Sequence, residues 1–121
     1  MRKNIIVVDD DVDILESIRT LFEHEGYDVY TVKNGMDCIK KLQKGFEGIV
    51  LLDIMMQGMD GWDTLRAIVD QGLQENIEVF VITAIGTGDY EKIKGLEPFI
   101  HDYIAKPFDP DKLIESINQI I

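Results

Sequence analysis

The sequence predicts an α/β protein. Its core is a doubly wound, five-stranded parallel sheet of order 2-1-3-4-5, and five helices cover it to make a three-layer sandwich. Three observations predict this. Apolar runs alternate with segments of helical period along the whole chain of 121 residues. Ile5–Val8, Ile49–Leu52 and most of Ile77–Thr83 are continuously apolar, as strands buried on both faces are. Asp28–Val32 and Tyr103–Ala105 are mixed in polarity, which suits the two edges. Right-handed crossovers limit the topologies, and this order satisfies the requirement that the apolar strands be central.

The first strand covers residues around 4–9. Ile14, Leu15, Ile18, Leu21 and Phe22 follow on one face of a helix. That helix stops at Gly26, a residue suited to the left-handed position after a helix. Asp28–Val32 is the second strand. Asn34-Gly35 is a hairpin signal on its own, but no partner strand follows. Cys38, Ile39 and Leu42 have helical spacing instead, with Asn34 as the N-cap. Ile49–Leu52 is the third strand. Asp60-Gly61 opens a helix that carries Leu65, Ile68 and Val69 and fades near Gly72. After the strand Ile77–Thr83, a weaker helix covers roughly Asp89–Leu96, its start loosened by Gly86 and Gly88. Tyr103–Ala105 is the fifth strand. Leu113, Ile114, Ile117, Ile120 and Ile121 stripe the last helix.

In such a sheet the first and third strands are neighbours, and the chain winds away from them in opposite directions. Ligands sit in the crevice at the carboxyl ends there. The first strand runs into Asp9, Asp10 and Asp11, the third into Asp53, and the fourth ends in Thr83. Two carboxylates about 5 Å apart at an effective dielectric near 20 repel by roughly 3 kcal/mol. An acidic crevice therefore calls for a cation. Oxygen-only ligation suits Mg²⁺, which takes one or two carboxylates, keeps waters and engages phosphate. A carboxylate nucleophile, a cation, the Thr83 hydroxyl and the Lys106 ammonium together make a set for phosphoryl transfer. Singly, each residue has a plainer reading. Asp11 and Asp60 are read as turn or helix caps, and a threonine at a strand end needs no more than β-propensity. Their joint arrival at four strand ends favours a site.

Composition limits the rest. The net charge of −11 repels phosphates, so direct nucleic-acid binding is not expected of this domain. The sequence has no apolar run of about 18 residues and so no expected membrane insertion. Met1-Arg2-Lys3 leads into a short apolar stretch and then aspartates, unlike a secretory signal, and a cytoplasmic location is expected. The single cysteine, Cys38, is read as a small apolar residue on a helix. His24 and His101 are read as surface residues, Met36, Met56 and Met59 as gap-fillers, and Trp62 as partly exposed.

Five segments, in this order, resemble the receiver domain of two-component response regulators. They are Val7-Val8-Asp9-Asp10-Asp11, Leu51-Leu52-Asp53-Ile54-Met55-Met56, Met59-Asp60-Gly61, Val81-Ile82-Thr83-Ala84 and Asp102-Tyr103-Ile104-Ala105-Lys106-Pro107-Phe108. The resemblance runs over residues 1–121 and is nearest to single-domain, chemotaxis-type receivers with a flavodoxin-like fold. It implies that Asp53 is the phospho-acceptor, attacking the phosphohistidine of a sensor histidine kinase or phosphotransfer protein. It implies Mg²⁺ on Asp10, Asp53 and the main-chain carbonyl of Met55, with Asp9 acting largely through a water. Lys106 would pair with phosphoryl oxygens, Thr83 would swing toward them, and Tyr103 would turn inward behind it. That pair would couple the site to the face of helix four, strand five and helix five, which meets a downstream protein target or output domain. The Lys106-Pro107 bond would be cis.

The chain departs from the family at several positions. Gln57 stands where proline is frequent, which implies a less rigid loop. Glu97-Pro98-Phe99-Ile100-His101 replaces a common Gly-Ala pair, so helix four should end early at Pro98, with exposed apolar surface at Phe99 or Ile100. Met55 and Ile85, each two positions after a site residue, are apolar, which implies hindered water and slow loss of the phosphoryl group. Two other classes compete. Asp9-x-Asp11-x-Asp13 faintly resembles the haloacid dehalogenase phosphatases, although Asp53 would then have no role. A flavin carrier would share the strand order, but three aspartates exclude its phosphate loop.

Overall fold

The computed structural model describes residues 3–84 and 90–119. Its five parallel strands are β1 (Asn4–Val8), β2 (Asp28–Val32), β3 (Gly48–Asp53), β4 (Ile77–Ala84) and β5 (Asp102–Lys106), in spatial order β2-β1-β3-β4-β5. Every residue of β1 and β3 is buried, whereas β2 alternates and β5 is mostly exposed. The split between central and edge strands follows the sequence pattern. The helices are α1 (Val12–His24), α2 (Gly35–Gln43), α3 (Gly61–Asp70), α4 (Tyr90–Ile93) and α5 (Pro110–Asn118).

Pleating sends alternate side chains of each strand into two cores. Ile5, Val7, Ile49, Leu51, Phe80 and Ile82 meet Leu15, Ile18 and Phe22 of α1 and Leu113 and Ile117 of α5. Ile6, Val8, Val50, Leu52, Val79 and Val81 meet α2 and α3 on the other face. The predicted stop of α1 and start of α2 hold. Gly26 has φ +88°, and Asn34 caps α2 by accepting the Asp37 amide. Cys38 is fully buried, and burial pushes its thiol up to about 12, which suits an inert apolar role.

Several expectations need correction. Trp62 is buried, at 4% exposure, because the Leu65–Ile68 stripe extends one turn further toward the start of α3. Its indole N–H has no hydrogen-bond partner among the described residues. Met36 is exposed and fills no gap, whereas Met56 is buried. Helix four stops at Ile93, before Pro98. Gly95 turns left-handed with φ +85°, and Pro98 sits inside a short 3-10 turn, Glu97–Phe99. Phe99 and Ile100 are half-buried, and Ile100 packs against the α2/α3 core. The expectations for Met1, Arg2, Ile85, Gly86, Gly88, Asp89, Ile120 and Ile121 lie outside the described residues. No described helix is long and apolar enough to cross a membrane.

Candidate functional site

Register brings the site together. Val8 pairs with Leu52, so Asp9 emerges level with Asp53 at the carboxyl edge. Asp53 pairs with Ile82 and Ile82 with Ile104, so Lys106 lies two positions beyond on the same face of the sheet. Its long stem reaches back. Lys106 Nζ is 3.4 Å from Asp9 Oδ2 and 3.3 Å from Asp53 Oδ2. The Lys106 ammonium is therefore held between two carboxylates. Lys106 is joined to Pro107 by a cis peptide bond, as the resemblance implied.

Asp9, Asp10 and Asp53 each offer an oxygen within 4.8 Å of the others. Asp9 and Asp53 are 1% exposed, while Asp10 is exposed. Burial raises the carboxyl of Asp9 above its usual range. The neighbouring Asp53 charge adds to this, and the Asp11 amide and Lys106 only partly offset it. Lys106 is raised as well, but against burial instead of by it. Burial alone would lower its ammonium, but the charges of Asp53 and Asp9 outweigh burial and raise it. Repulsion of roughly 3 kcal/mol per close pair is no larger than the contribution of one or two buried core side chains at about 1.5–3 kcal/mol each. The fold can therefore carry this cluster.

Main-chain amides hold the acids. The Asp11 N–H donates to Asp9 Oδ1 at 2.9 Å, and the Met55 N–H donates to Asp53 Oδ1 at 3.1 Å. The Gln57 N–H donates to Asp10 Oδ2 at 3.1 Å. The β3–α3 loop, expected to be loose at Gln57, is tied to Asp10 by this bond. The Met55 side chain projects into solvent at 57% exposure.

Asp11 and Asp60 are caps, as read from sequence. Asp11 accepts the Asp13 amide at 2.9 Å. Asp60 accepts the Asp63 amide at 2.9 Å, and the Asp63 side chain answers the Asp60 N–H, closing a capping box. Gly61 explains the residue after the cap. Its N–H donates to the Ile54 carbonyl, and a Cβ there would lie 2.7 Å from Ile54 Cα and against the Asp53 carbonyl. Only glycine lets α3 start against the end of β3.

Tyr103 pairs with Val81 and Thr83 with Ala105, so the two lie on adjacent strands of the α3 face, offset by two positions. Tyr103 is exposed at 48%. Sequence reasoning missed a pair of ties from α3 to α4. Lys92 Nζ is 2.7 Å from Asp60 Oδ2, and Arg66 donates to the carbonyls of Lys92 and Lys94 at 3.3 and 3.1 Å. No local pattern signals these, because the partners are 26 to 32 residues apart.

The donor set is oxygen only, in a crevice where buried carboxylates crowd, and it suits a hard divalent cation. Comparison with known proteins agrees with this geometry. The sequence model described as the response regulator receiver domain matches residues 5–118. The transcriptional regulatory protein CpxR homolog of Haemophilus influenzae is 38% identical over 97% of this chain and 49% of its own length. Response regulator SaeR of Staphylococcus aureus is 35% identical over 98% of this chain and 50% of its own. The chain thus spans about half the length of the curated relatives it matches. Among solved structures, a CheY-like response regulator receiver domain protein from Methanospirillum hungatei superposes with a TM-score of 0.92 at 43% identity, covering 97% of this chain and 92% of that one. The N-terminal domain of a response regulator receiver protein from Methanoculleus marisnigri gives 0.75 at 36% identity, covering 98% and 95%. The chain belongs to the response regulator receiver domain family.

Proposed function

We propose that residues 1–121 form one receiver domain that takes a phosphoryl group on Asp53 from a sensor histidine kinase or a phosphotransfer protein. One observation carries the reading. Asp53 is a buried carboxylate whose second oxygen lies 3.3 Å from Lys106 Nζ, inside a cluster with Asp9 and Asp10. Asp10, Asp53 and the Met55 carbonyl would hold Mg²⁺, with Asp9 acting through a water, and the ion would let an anionic phosphoryl group approach these acids. An Asp53 oxygen bonds to phosphorus as the P–N bond to the donor imidazole breaks, and the imidazole nitrogen keeps the electron pair. Lys106 exchanges its contact with Asp53 for one with a phosphoryl oxygen. Thr83 supplies a hydroxyl donor to the same group.

The activity is a switch, with catalysis limited to the domain's own phosphorylation and dephosphorylation. Moving a population from 1:99 to 99:1 takes about 5.5 kcal/mol of differential interaction. A charge-assisted lysine contact and a Thr83 hydrogen bond can supply much of that. Thr83 and Tyr103 on one sheet face would pass the change to the surface of α4, β5 and α5, where a downstream protein target or output domain binds. A cytoplasmic location belongs to this reading.

The test is site-mapped labelling. Acetyl phosphate with Mg²⁺, trapping with borohydride and peptide mapping should label Asp53, and Asp53→Asn should abolish the label. A label on Asp9 would favour the phosphatase instead.

A further inference from the structure

Among the described residues, each of the three clustered carboxylates accepts one main-chain N–H, but the three bonds differ in origin. Asp9 is served by the amide of Asp11 and Asp53 by the amide of Met55, each two residues ahead. Such closures form within a single turn. Asp10 is served from 47 residues away, by the amide of Gln57. This third bond exists only because the β3–α3 loop passes the β1–α1 loop and because residue 57 has an N–H to give. A proline at that position could not make it.

We propose that Gln57 is a positioning residue of the cation site, acting through its amide and not through its side chain. The inference rests on reading the three aspartates as a Mg²⁺ site. Asp10 is the exposed member of the cluster, while Asp9 and Asp53 are buried and fixed. Like charges within 4.8 Å repel, so an untethered Asp10 carboxylate would turn toward water. The Gln57 N–H holds Asp10 Oδ2 at 3.1 Å and keeps the group facing its neighbours. An ionised carboxylate has about four lone-pair sites, so one N–H leaves Oδ1 and part of Oδ2 for an ion. A carboxylate oriented by a bond from its own chain would need less ordering when an ion binds, and preorganisation of this kind raises affinity. Groups that orient a metal ligand typically change metal affinity by about 10- to 100-fold when removed. The same bond links the ion's ligand to the loop that carries Met55 and leads into Asp60.

The test is a titration of MgCl₂, without any phosphodonor, followed by ¹H–¹⁵N NMR on wild type, Gln57→Ala and Gln57→Pro. The alanine variant keeps the N–H and should track wild type. The proline variant should bind Mg²⁺ about tenfold more weakly. Equal affinities for the alanine and proline variants would overturn the proposal and leave the Mg²⁺ site standing. A wild type that binds no Mg²⁺ would overturn both. If the proline variant does not fold, amide hydrogen exchange decides. The Gln57 N–H should be protected in metal-free wild type and lose that protection in Asp10→Ala. Exchange at the unprotected rate in wild type would overturn the proposal.

Discussion

Lys106 Nζ stands 3.3 Å from Asp53 Oδ2, and that single ammonium also lies 3.4 Å from Asp9 Oδ2. One cation thus compensates two carboxylates that have almost no solvent. Removing it should leave an uncompensated buried pair. Lys106→Met is expected to destabilise the metal-free protein by roughly 2–3 kcal/mol, below the 3–5 kcal/mol of a fully buried pair because Lys106 is a quarter exposed. Mg²⁺ should recover more stability in the variant than in wild type, since it replaces the missing charge. Melting curves in Mg²⁺ and in chelator check both statements. Equal Mg²⁺ gains in the two proteins would contradict the shared-cation account.

The bond between Asp60 and Lys92 gives a pH prediction. Burial alone would raise the Asp60 carboxyl, but hydrogen bonds from Lys92 and Asp63 and the Lys92 charge outweigh it and hold the group below 3.8. A depressed carboxyl contributes stability that is whole above the ordinary value and lost as pH falls through the folded one. Asp60→Asn keeps a capping side chain but loses the ion pair. It should cost about 0.5–1 kcal/mol at neutral pH, because both partners are partly exposed. The gap between variant and wild type should close as pH falls through the folded value, where both forms become uncharged at residue 60. A double-mutant cycle with Lys92→Met isolates the pair. A gap that persists unchanged in acid would place the effect in the cap.

Gly61 joins stability to the site. An added Cβ would meet main-chain atoms of Ile54 and Asp53, which cannot rotate away. Gly61→Ala should therefore cost about 1–3 kcal/mol and weaken Mg²⁺ binding, because relief must come from moving the end of β3. Ile54→Val in the same background removes only the side-chain part of the clash and should recover less than half of the loss. Chemical denaturation with and without Mg²⁺ separates the two effects. Full recovery by Ile54→Val would show that the backbone contact is unimportant.

These residues also show what was legible in the sequence. Strand ends at Asp9 and Asp53 follow from apolar runs stopping at acids, and the cap at Asp60 follows from Asp-Gly before an amphipathic stripe. Both depend on neighbours in the chain. The burial of Trp62 was missed because a stripe was read from Leu65 onward when it begins one turn earlier. The early stop of α4 was assigned to Pro98, although Gly95 had already taken a left-handed turn. The Gln57 amide on Asp10, Arg66 on the carbonyls after α4, and Lys92 on Asp60 depend on loops meeting in space. Main-chain donors also carry no side-chain signature, and at position 57 only a proline would have been informative, by excluding the bond.

Met55 sets up the last prediction. Its amide fixes Asp53 Oδ1, while its side chain stands in solvent at the rim of the site. Ile85, the other apolar position expected to control water, lies outside the described residues. A thioether at the rim can crowd an attacking water but cannot orient it by a strong hydrogen bond. An asparagine at the same place offers both a donor and an acceptor. A hydrogen bond worth about 1 kcal/mol in the transition state corresponds to about fivefold in rate. Met55→Asn should thus lose its phosphoryl group about fivefold faster than wild type in Mg²⁺, with the rate of labelling by acetyl phosphate little changed. Following decay after removal of the donor measures this directly. Unchanged or slower decay would show that the exposed Met55 side chain does not govern access of water to Asp53.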